Sequence, residues 1–132
     1  MRNMSFMHTA DHIRNRTKTV TRRTGWRFLK PGDLVMACER TRGLKQGQIV
    51  RLAPLRIISN TGGWLHEMPQ SDVAREGFGD MWIGSFIDMF YRINGLARSQ
   101  AVWCNRIEFD YLEVSNAQWK QDTQMACLVY GG

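Results

Sequence analysis

Between residues 82 and 111 the hydrophobic period changes, and that change limits the fold more than any other feature of the sequence. Trp82, Ile83, Phe86, Met89, Phe90 and Ile93 keep the spacing of one helix face, with Asp88 and Arg92 on the other. A Met/aromatic stripe of this kind reads as core packing. Asn94-Gly95 ends it. Beyond that point Trp103, Ile107, Phe109 and Tyr111 alternate with Cys104, Arg106, Glu108 and Asp110, as in a half-buried antiparallel strand. A helix followed by such a strand predicts a mixed α+β chain.

The rest of the chain fits that class. Thr9 is placed to cap a short helix ending near Asn15, with Phe6, Ala10 and Ile13 on one face. Met1 to Phe6 reads as a loose lead-in. Lys30-Pro-Gly-Asp33 is a turn, because Pro fixes φ at its second position and Gly accepts positive φ at its third. Leu34 to Cys38 then reads as a buried strand, and Gln48 to Ser59 as one long strand or two short ones. Pro54 marks an edge or a bulge, having no N–H for a ladder. Glu39 to Gln48 and Asn60 to Gly63 read as loops. Ser71 caps a short helix through Glu76, which Gly77 stops. Thr123 to Tyr130 reads as a last strand. The order predicts a small α+β domain whose twisted sheet curls into an open barrel.

At 132 residues the chain is expected to be a single domain, with its core over about residues 8–114. Cys38, Cys104 and Cys127 are odd in number, widely spaced and without metal-ligand spacing, so buried free thiols in a reducing cytosol are expected. The N-terminus has no apolar h-region and no apolar run is long enough for a membrane span, which predicts a cytoplasmic protein with no membrane partner. Oligomeric state is not legible.

Charge is unevenly placed. Met1 to Arg56 holds 13 Lys/Arg against 3 Asp/Glu, and the remainder holds 5 against 9. The positive centre is Asn15-Arg-Thr-Lys-Thr-Val-Thr-Arg-Arg-Thr-Gly-Trp26, and no acid falls between Asp11 and Asp33. Its β-branched residues favour extended backbone. A clustered positive field attracts polyanions or a phosphorylated small molecule. The alternative is that basic and acidic halves pair across the fold.

Arg16-Thr-Lys-Thr-Val-Thr-Arg-Arg23, Leu29-Lys-Pro-Gly-Asp-Leu34, Ala74-Arg-Glu-Gly-Phe78 ahead of an aromatic helix, and Arg106-Ile-Glu-Phe109 together resemble the ASCH family. These are small β-barrel domains of the PUA-like superfamily, and the resemblance runs from about Ile13 to Tyr111. It implies a PUA-like open β-barrel with flanking short helices, and RNA or a nucleoside as partner. The compact form is also similar to proteins carried by bacteriophages and prophages. One branch of the family hydrolyses the amide of N4-acetylcytidine. The resemblance carries that branch's catalytic set onto Lys18, Thr21 and Glu76. Other members are ribonucleases or bind RNA without catalysis, so a non-catalytic RNA-binding module stands as the alternative.

The chemistry makes demands of its own. Lys18 and Thr21 are three apart, which on a regular strand sends side chains to opposite faces, so the backbone between them must depart from a strand. A Thr hydroxyl needs an adjacent base, and Lys18 serves as one only with a lowered pKa, which Arg16, Arg22, Arg23 and burial favour. Glu76 either holds Lys18 in place or delivers a proton to the leaving amine; an ordinary ion pair pinning helix to barrel is the structural alternative. Arg16, Arg22 and Arg23 are candidate contacts for phosphate or carbonyl, with one of the adjacent pair expected to face the pocket. Trp26 or Trp64 is a candidate base platform. No cofactor and no metal are expected. His8, His12 and His66 lack ligand spacing, and Gly77 interrupts the Asp72, Glu76, Asp80 series. His12 is expected on a solvated face.

Overall fold

The computed structural model describes residues 1–45 and 47–113. Five strands, β1 (Arg2–Ser5), β2 (Val20–Arg23), β3 (Leu34–Cys38), β4 (Arg51–Trp64) and β5 (Trp103–Tyr111), form one sheet in the order β1-β3-β4-β5-β2. β1 runs parallel to β3, and the other neighbours are antiparallel. The helices are α1 (Ala10–Arg14), α2 (Ser71–Val73), which continues into a π-turn over Ala74–Phe78, and α3 (Ile83–Ile93). The result is the expected α+β chain, its sheet curled into a half-barrel. Among the described residues no helix is long and apolar enough to cross a membrane.

The lead-in expected at Met1 to Phe6 is instead an edge strand. Met4 and Phe6 alternate with Asn3 and Ser5 and bury almost completely, each contributing about 1.5–3 kcal/mol by leaving water. Asn60 to Gly63, expected as a loop, continues β4: Asn60 pairs with Ile107 and Gly63 with Cys104. Pairing with β5 overrides the weak strand propensity of two glycines. Gly62 also has a packing role, since a Cβ there would stand 2.8 Å from the Trp103 indole.

Register shifts bend the sheet. The β4–β5 pairing slips between Ile57 and Ser59, leaving Ile58 exposed, and the β3–β4 pairing slips between Ala37 and Cys38. An extra residue on one strand increases local twist, which helps curl the sheet. Pro54 sits just past the last β4–β5 pair, Leu55/Tyr111, where a missing donor interrupts little.

The turn at Lys30 to Asp33 forms as expected. Gly32 takes φ +93°, the Asp33 N–H donates to the Lys30 carbonyl at 3.0 Å, and the Asp33 carboxylate accepts from the Lys30 N–H at 2.9 Å. Thr9 occupies the cap position of α1 without a side-chain capping bond. Ser71 lies inside its helix, and Gln70 stands before it, bridging to Met81 and Ile83. Gly77 ends that helix with φ +102°. The strand expected over Thr123 to Tyr130 lies outside the described residues.

Two large apolar clusters and a small third one at Met36 and Cys38 fill the described residues. One, inside the curl, contains Phe6, Ile13, Val35, Leu55, Ile107 and Phe109. The other, beneath α3, contains Leu65, Val73, Phe86, Phe90 and Tyr91. The edge strands β1 and β2 are bridged by a side chain: Arg23 Nη2 donates to the Ser5 carbonyl at 2.7 Å. The site occupies that seam.

Candidate active site

A cavity of about 200 Å³ opens where β1, β2 and α3 meet. Its buried floor is Lys18, Thr21 and Glu76, each about 3% exposed. Phe6, Phe78, Phe86 and Phe90 wall it, while Met7, His8 and Asn94 stand at its exposed rim.

Thr21 and Lys18 reach one cavity because they do not share a strand. β2 begins at Val20. Arg16, in the left-handed region at φ +61°, turns the chain out of α1, and Thr17 to Thr19 is irregular backbone. That irregular segment is tied down on every side. The Lys18 N–H donates to the His12 carbonyl at 3.3 Å, and the Tyr111 hydroxyl donates to the Lys18 carbonyl at 2.6 Å. The Thr19 N–H donates to the Arg75 carbonyl at 2.8 Å, and its carbonyl accepts from the Phe109 N–H at 3.0 Å. The departure from strand geometry that the Lys18/Thr21 spacing demands is present.

Glu76 arrives from the π-turn. Lys18 Nζ donates to Glu76 Oε1 at 2.9 Å and to the Glu76 carbonyl at 2.9 Å. Burial pushes the Lys18 amine down from its ordinary pKa; the Glu76 charge and hydrogen bond oppose this, and Arg23 and Arg22 add to it. Thr21 Oγ1 accepts from Arg23 Nε at 3.1 Å, which leaves the hydroxyl proton to point elsewhere. Arg23 is itself fixed by the Ser5 carbonyl and by the Phe6 ring, whose centroid lies 4.7 Å from its guanidinium carbon. Burial, opposed by Glu76, pushes its pKa down to about 10.

The arginines beside the floor belong to a chain of alternating charge. Arg22 donates from Nη1 to Glu76 Oε2 at 3.2 Å and from Nη2 to Asp72 Oδ2 at 2.5 Å. Asp72 also receives Arg106 through Nε at 2.8 Å and Nη2 at 3.2 Å. Arg106 and Arg75 both reach Glu108, at 3.2 and 3.4 Å. The sequence Arg75–Glu108–Arg106–Asp72–Arg22–Glu76–Lys18 therefore runs from surface to cavity floor. Burial raises the Asp72 carboxyl, but the Arg106 and Arg22 hydrogen bonds and charges outweigh it and hold the group below the usual carboxylate range.

Lys18, Thr21, Glu76, Arg22 and Arg23 thus line one cavity. Both arginines face it, where strand alternation predicts one, because the long Arg22 side chain extends to Glu76 at the cavity wall. Arg16 and Trp26 do not line it. Arg16 pairs with Glu113 at 3.0 Å and lies over Tyr111, while Trp26 packs on Phe28 and the inner core. Asp72 enters as an unexpected member; its signal is the i, i+4 spacing with Glu76, which puts both carboxylates on one side of the helix opposite the arginines. The α3 stripe packs the core and walls the cavity through Phe86, Met89 and Phe90, whereas Trp82, expected in it, stands before the helix and is exposed. His12 is not on a solvated face: its ring meets Phe78 edge-on at 4.9 Å, and a Cβ on Gly77 would stand 2.8 Å from its Cγ. Burial, reinforced by Lys18, pushes its pKa down. Cys38 and Cys104 are buried free thiols, and burial pushes Cys38 up to about 11.

No protein-family model matches the sequence, and no curated protein matches it. Two solved structures do match by shape. An ASCH domain from Lactobacillus crispatus JV V101 superposes with a TM-score of 0.59 at 15% identity, over 83% of this chain and 78% of that one. A protein of family DUF984 from Enterococcus faecalis V583 superposes with a TM-score of 0.63 at 14% identity, over 91% of this chain and 81% of that one. At these identities the likeness is one of fold, and it agrees with the topology and the open seam described above: the chain has the ASCH, PUA-like fold.

Proposed function

We propose that the seam cavity is the active site of an amidohydrolase acting on a small N-acylated pyrimidine nucleoside, with N4-acylcytidine as the specific case. The observation that carries this reading is the buried Lys18–Glu76 pair, 2.9 Å apart, on the floor of the same cavity as Thr21. Burial lowers the Lys18 pKa, which favours the neutral amine that can accept a proton. Thr21 Oγ1 attacks the amide carbonyl as the Lys18 amine takes its proton. The ammonium, held by Glu76, returns that proton to the departing cytosine nitrogen as the C–N bond breaks. Water, deprotonated by Lys18 in turn, then cleaves the acyl-threonine ester and releases the acid. Arg23, already bonded to Thr21 Oγ1, stands beside the developing oxyanion.

The cavity's volume supports a small substrate. About 200 Å³ lies below the range for drug-sized ligands, which favours a single base over a folded polynucleotide. Aromatic walls suit a flat ring. The partners of the basic stretch support it too. Arg16, Lys18 and Arg22 are ion-paired, with Glu113, Glu76 and Asp72, which leaves Arg23 as the cavity-lining cation without an acidic partner among the described residues.

The test is to incubate the protein with N4-acetylcytidine and follow cytidine release, beside Lys18→Ala, Glu76→Ala and Thr21→Val. Release by wild type and its loss by about 100-fold or more in each variant is expected, the scale of a removed acid–base group. A wild type that releases no cytidine, or variants that match it, refutes the assignment.

A further inference from the structure

His12 touches both halves of the buried pair from behind, and the proposed hydrolysis gives it no part. Its carbonyl is a shared acceptor: the Thr17 N–H donates to it at 3.0 Å, the Lys18 N–H at 3.3 Å and the Thr17 hydroxyl at 3.5 Å. The helix α1 is thereby tied to the segment that carries Lys18. The His12 ring meets the turn that carries Glu76. A Cβ on Gly77 would stand 2.8 Å from its Cγ and 2.9 Å from its Nδ1, and Phe78 meets the ring edge-on at 4.9 Å. Gly77, at φ +102°, directly follows Glu76, so the ring backs the turn at the residue next to the carboxylate.

An apolar ring would fill that space without a polar atom. The imidazole instead buries Nδ1 with no hydrogen-bond partner among the described residues. A proton on Nδ1 meets no acceptor, so the neutral ring is expected to carry its proton on Nε2. Charging the ring forces a proton onto Nδ1, and the groups around it do little to stabilise one. Burial opposes the charge and Lys18 repels it, and both push the His12 pKa down. Asp11 pulls the other way, but its carboxylate is engaged by Arg14 at 2.8 Å. On the turn, Glu76 is held by Lys18 and Arg22, and Arg75 is paired with Glu108. Gly77 lies beside Nδ1, so solvating a charged ring means moving the turn that carries Glu76.

We propose that His12 is a positioning residue of the seam, holding Lys18 and Glu76 together through its carbonyl and its neutral ring, and releasing them when the ring is protonated. The lysine is fixed through its backbone and the carboxylate through its turn, so neither side chain has to touch the imidazole. While the ring is neutral, Lys18 Nζ stays buried, 2.9 Å from Glu76 Oε1. With the turn displaced, water reaches the amine and its pKa returns towards the ordinary lysine value, which leaves the base charged. Two protons then switch the site off in acid, one on Lys18 and one on His12. The clamp itself needs no substrate; only its effect on rate rests on the hydrolytic reading.

The test has two arms. Without substrate, the ring ¹⁵N signals of His12 and the ¹³Cε signal of Lys18 are followed against pH in wild type, His12→Ala and His12→Phe. His12 is expected in the Nε2–H form, titrating below the ordinary value of about 6.5. The Lys18 midpoint is expected to rise in His12→Ala and to hold in His12→Phe, which keeps a ring against Gly77. With N4-acetylcytidine, His12→Ala should lose up to about 100-fold in kcat, the scale of a misplaced group, with KM little changed because Phe86 and Phe90 still wall the cavity. The acid limb of log kcat should steepen to a slope of two in wild type and keep a slope of one in His12→Phe. A His12 that titrates at or above the ordinary value, or a Lys18 midpoint unmoved in His12→Ala, overturns the proposal. So does a wild-type acid limb that keeps a slope of one, or a His12→Phe limb as steep as that of wild type. A wild type that releases no cytidine refutes the hydrolysis, and the first arm, which needs no turnover, then decides the clamp alone.

Discussion

Asp72→Asn isolates the middle of the buried charge chain without changing the shape of the side chain. In the wild type this carboxylate is 4% exposed and takes three hydrogen bonds from Arg22 and Arg106. The substitution leaves the Arg22 guanidinium buried with Glu76 alone, which it must share with Lys18. Removing one partner of a buried pair costs about 3–5 kcal/mol, and asparagine keeps one acceptor, so the lower end, about 3 kcal/mol, is expected. For a chain of 132 residues, at about 4 °C per kcal/mol, the midpoint should fall by about 12 °C. Thermal and urea unfolding at pH 7 measure it. The pH dependence provides the sharper check. Because the native pKa of Asp72 is depressed, its contribution is complete above the unfolded value of about 3.9 and is lost as pH falls through the native value. The gap between wild type and variant should therefore be constant at neutral pH and close in acid below about pH 4. A variant within a degree or so of wild type at pH 7, or a gap that persists undiminished in acid, refutes the claim that this network stabilises the fold.

Three further outcomes follow from the same geometry. In a protein with ¹³C-methylated lysines, the Lys18 signal should titrate below the ordinary lysine value; a midpoint at that value would refute the burial argument. Between that lowered pKa and the ordinary 10.5 the unfolded chain binds more protons, so Lys18 makes stability rise with pH; Tyr111, which burial pushes up to about 12, acts in the opposite direction above pH 10. Gly77→Ala should destabilise by about 1–3 kcal/mol in urea, since it combines φ +102° with a Cβ driven into His12. Gly62→Ala should cost less than about 1 kcal/mol, because Trp103 is exposed and its indole can swing away; equal losses at the two glycines would refute the distinction.

Much of the fold is legible locally. The α3 stripe, the β5 alternation and the Lys30–Asp33 turn each rest on a signal contained in a dozen residues, and each appears at nearly the expected bounds. The misses are pairings. Asn3-Met4-Ser5 is too short to announce a strand; it becomes one because β3 offers a parallel edge and the core offers places for Met4 and Phe6. Asn60 to Gly63 looks like a turn until β5 lies beside it. Strand propensity is largely a record of neighbours, and a sequence read in order does not contain its neighbours.

The same limitation governs charge at the site, and it inverts the simplest reading of the basic stretch. Locally, Arg16, Lys18 and Arg22 have no acid near them. In the fold, Glu113, Glu76 and Asp72 arrive from 50 to 97 residues away in sequence and neutralise them. Positive charge counted along a chain is thus a poor guide to a ligand surface when the acids sit elsewhere in the same domain. What stays informative is position. Lys18 lies just before the strand, where irregular backbone lets it share a cavity with Thr21, and its countercharge comes from a turn whose glycine is locked against His12. A lysine needed only for an ion pair is rarely so buried, since a solvated pair avoids the desolvation that this one incurs. Keeping Lys18, Glu76, Arg22 and Asp72 out of water is unfavourable for the folded chain unless each is held by the next. That interdependence is why a substitution at Asp72, which does not line the seam cavity, should be felt at its floor.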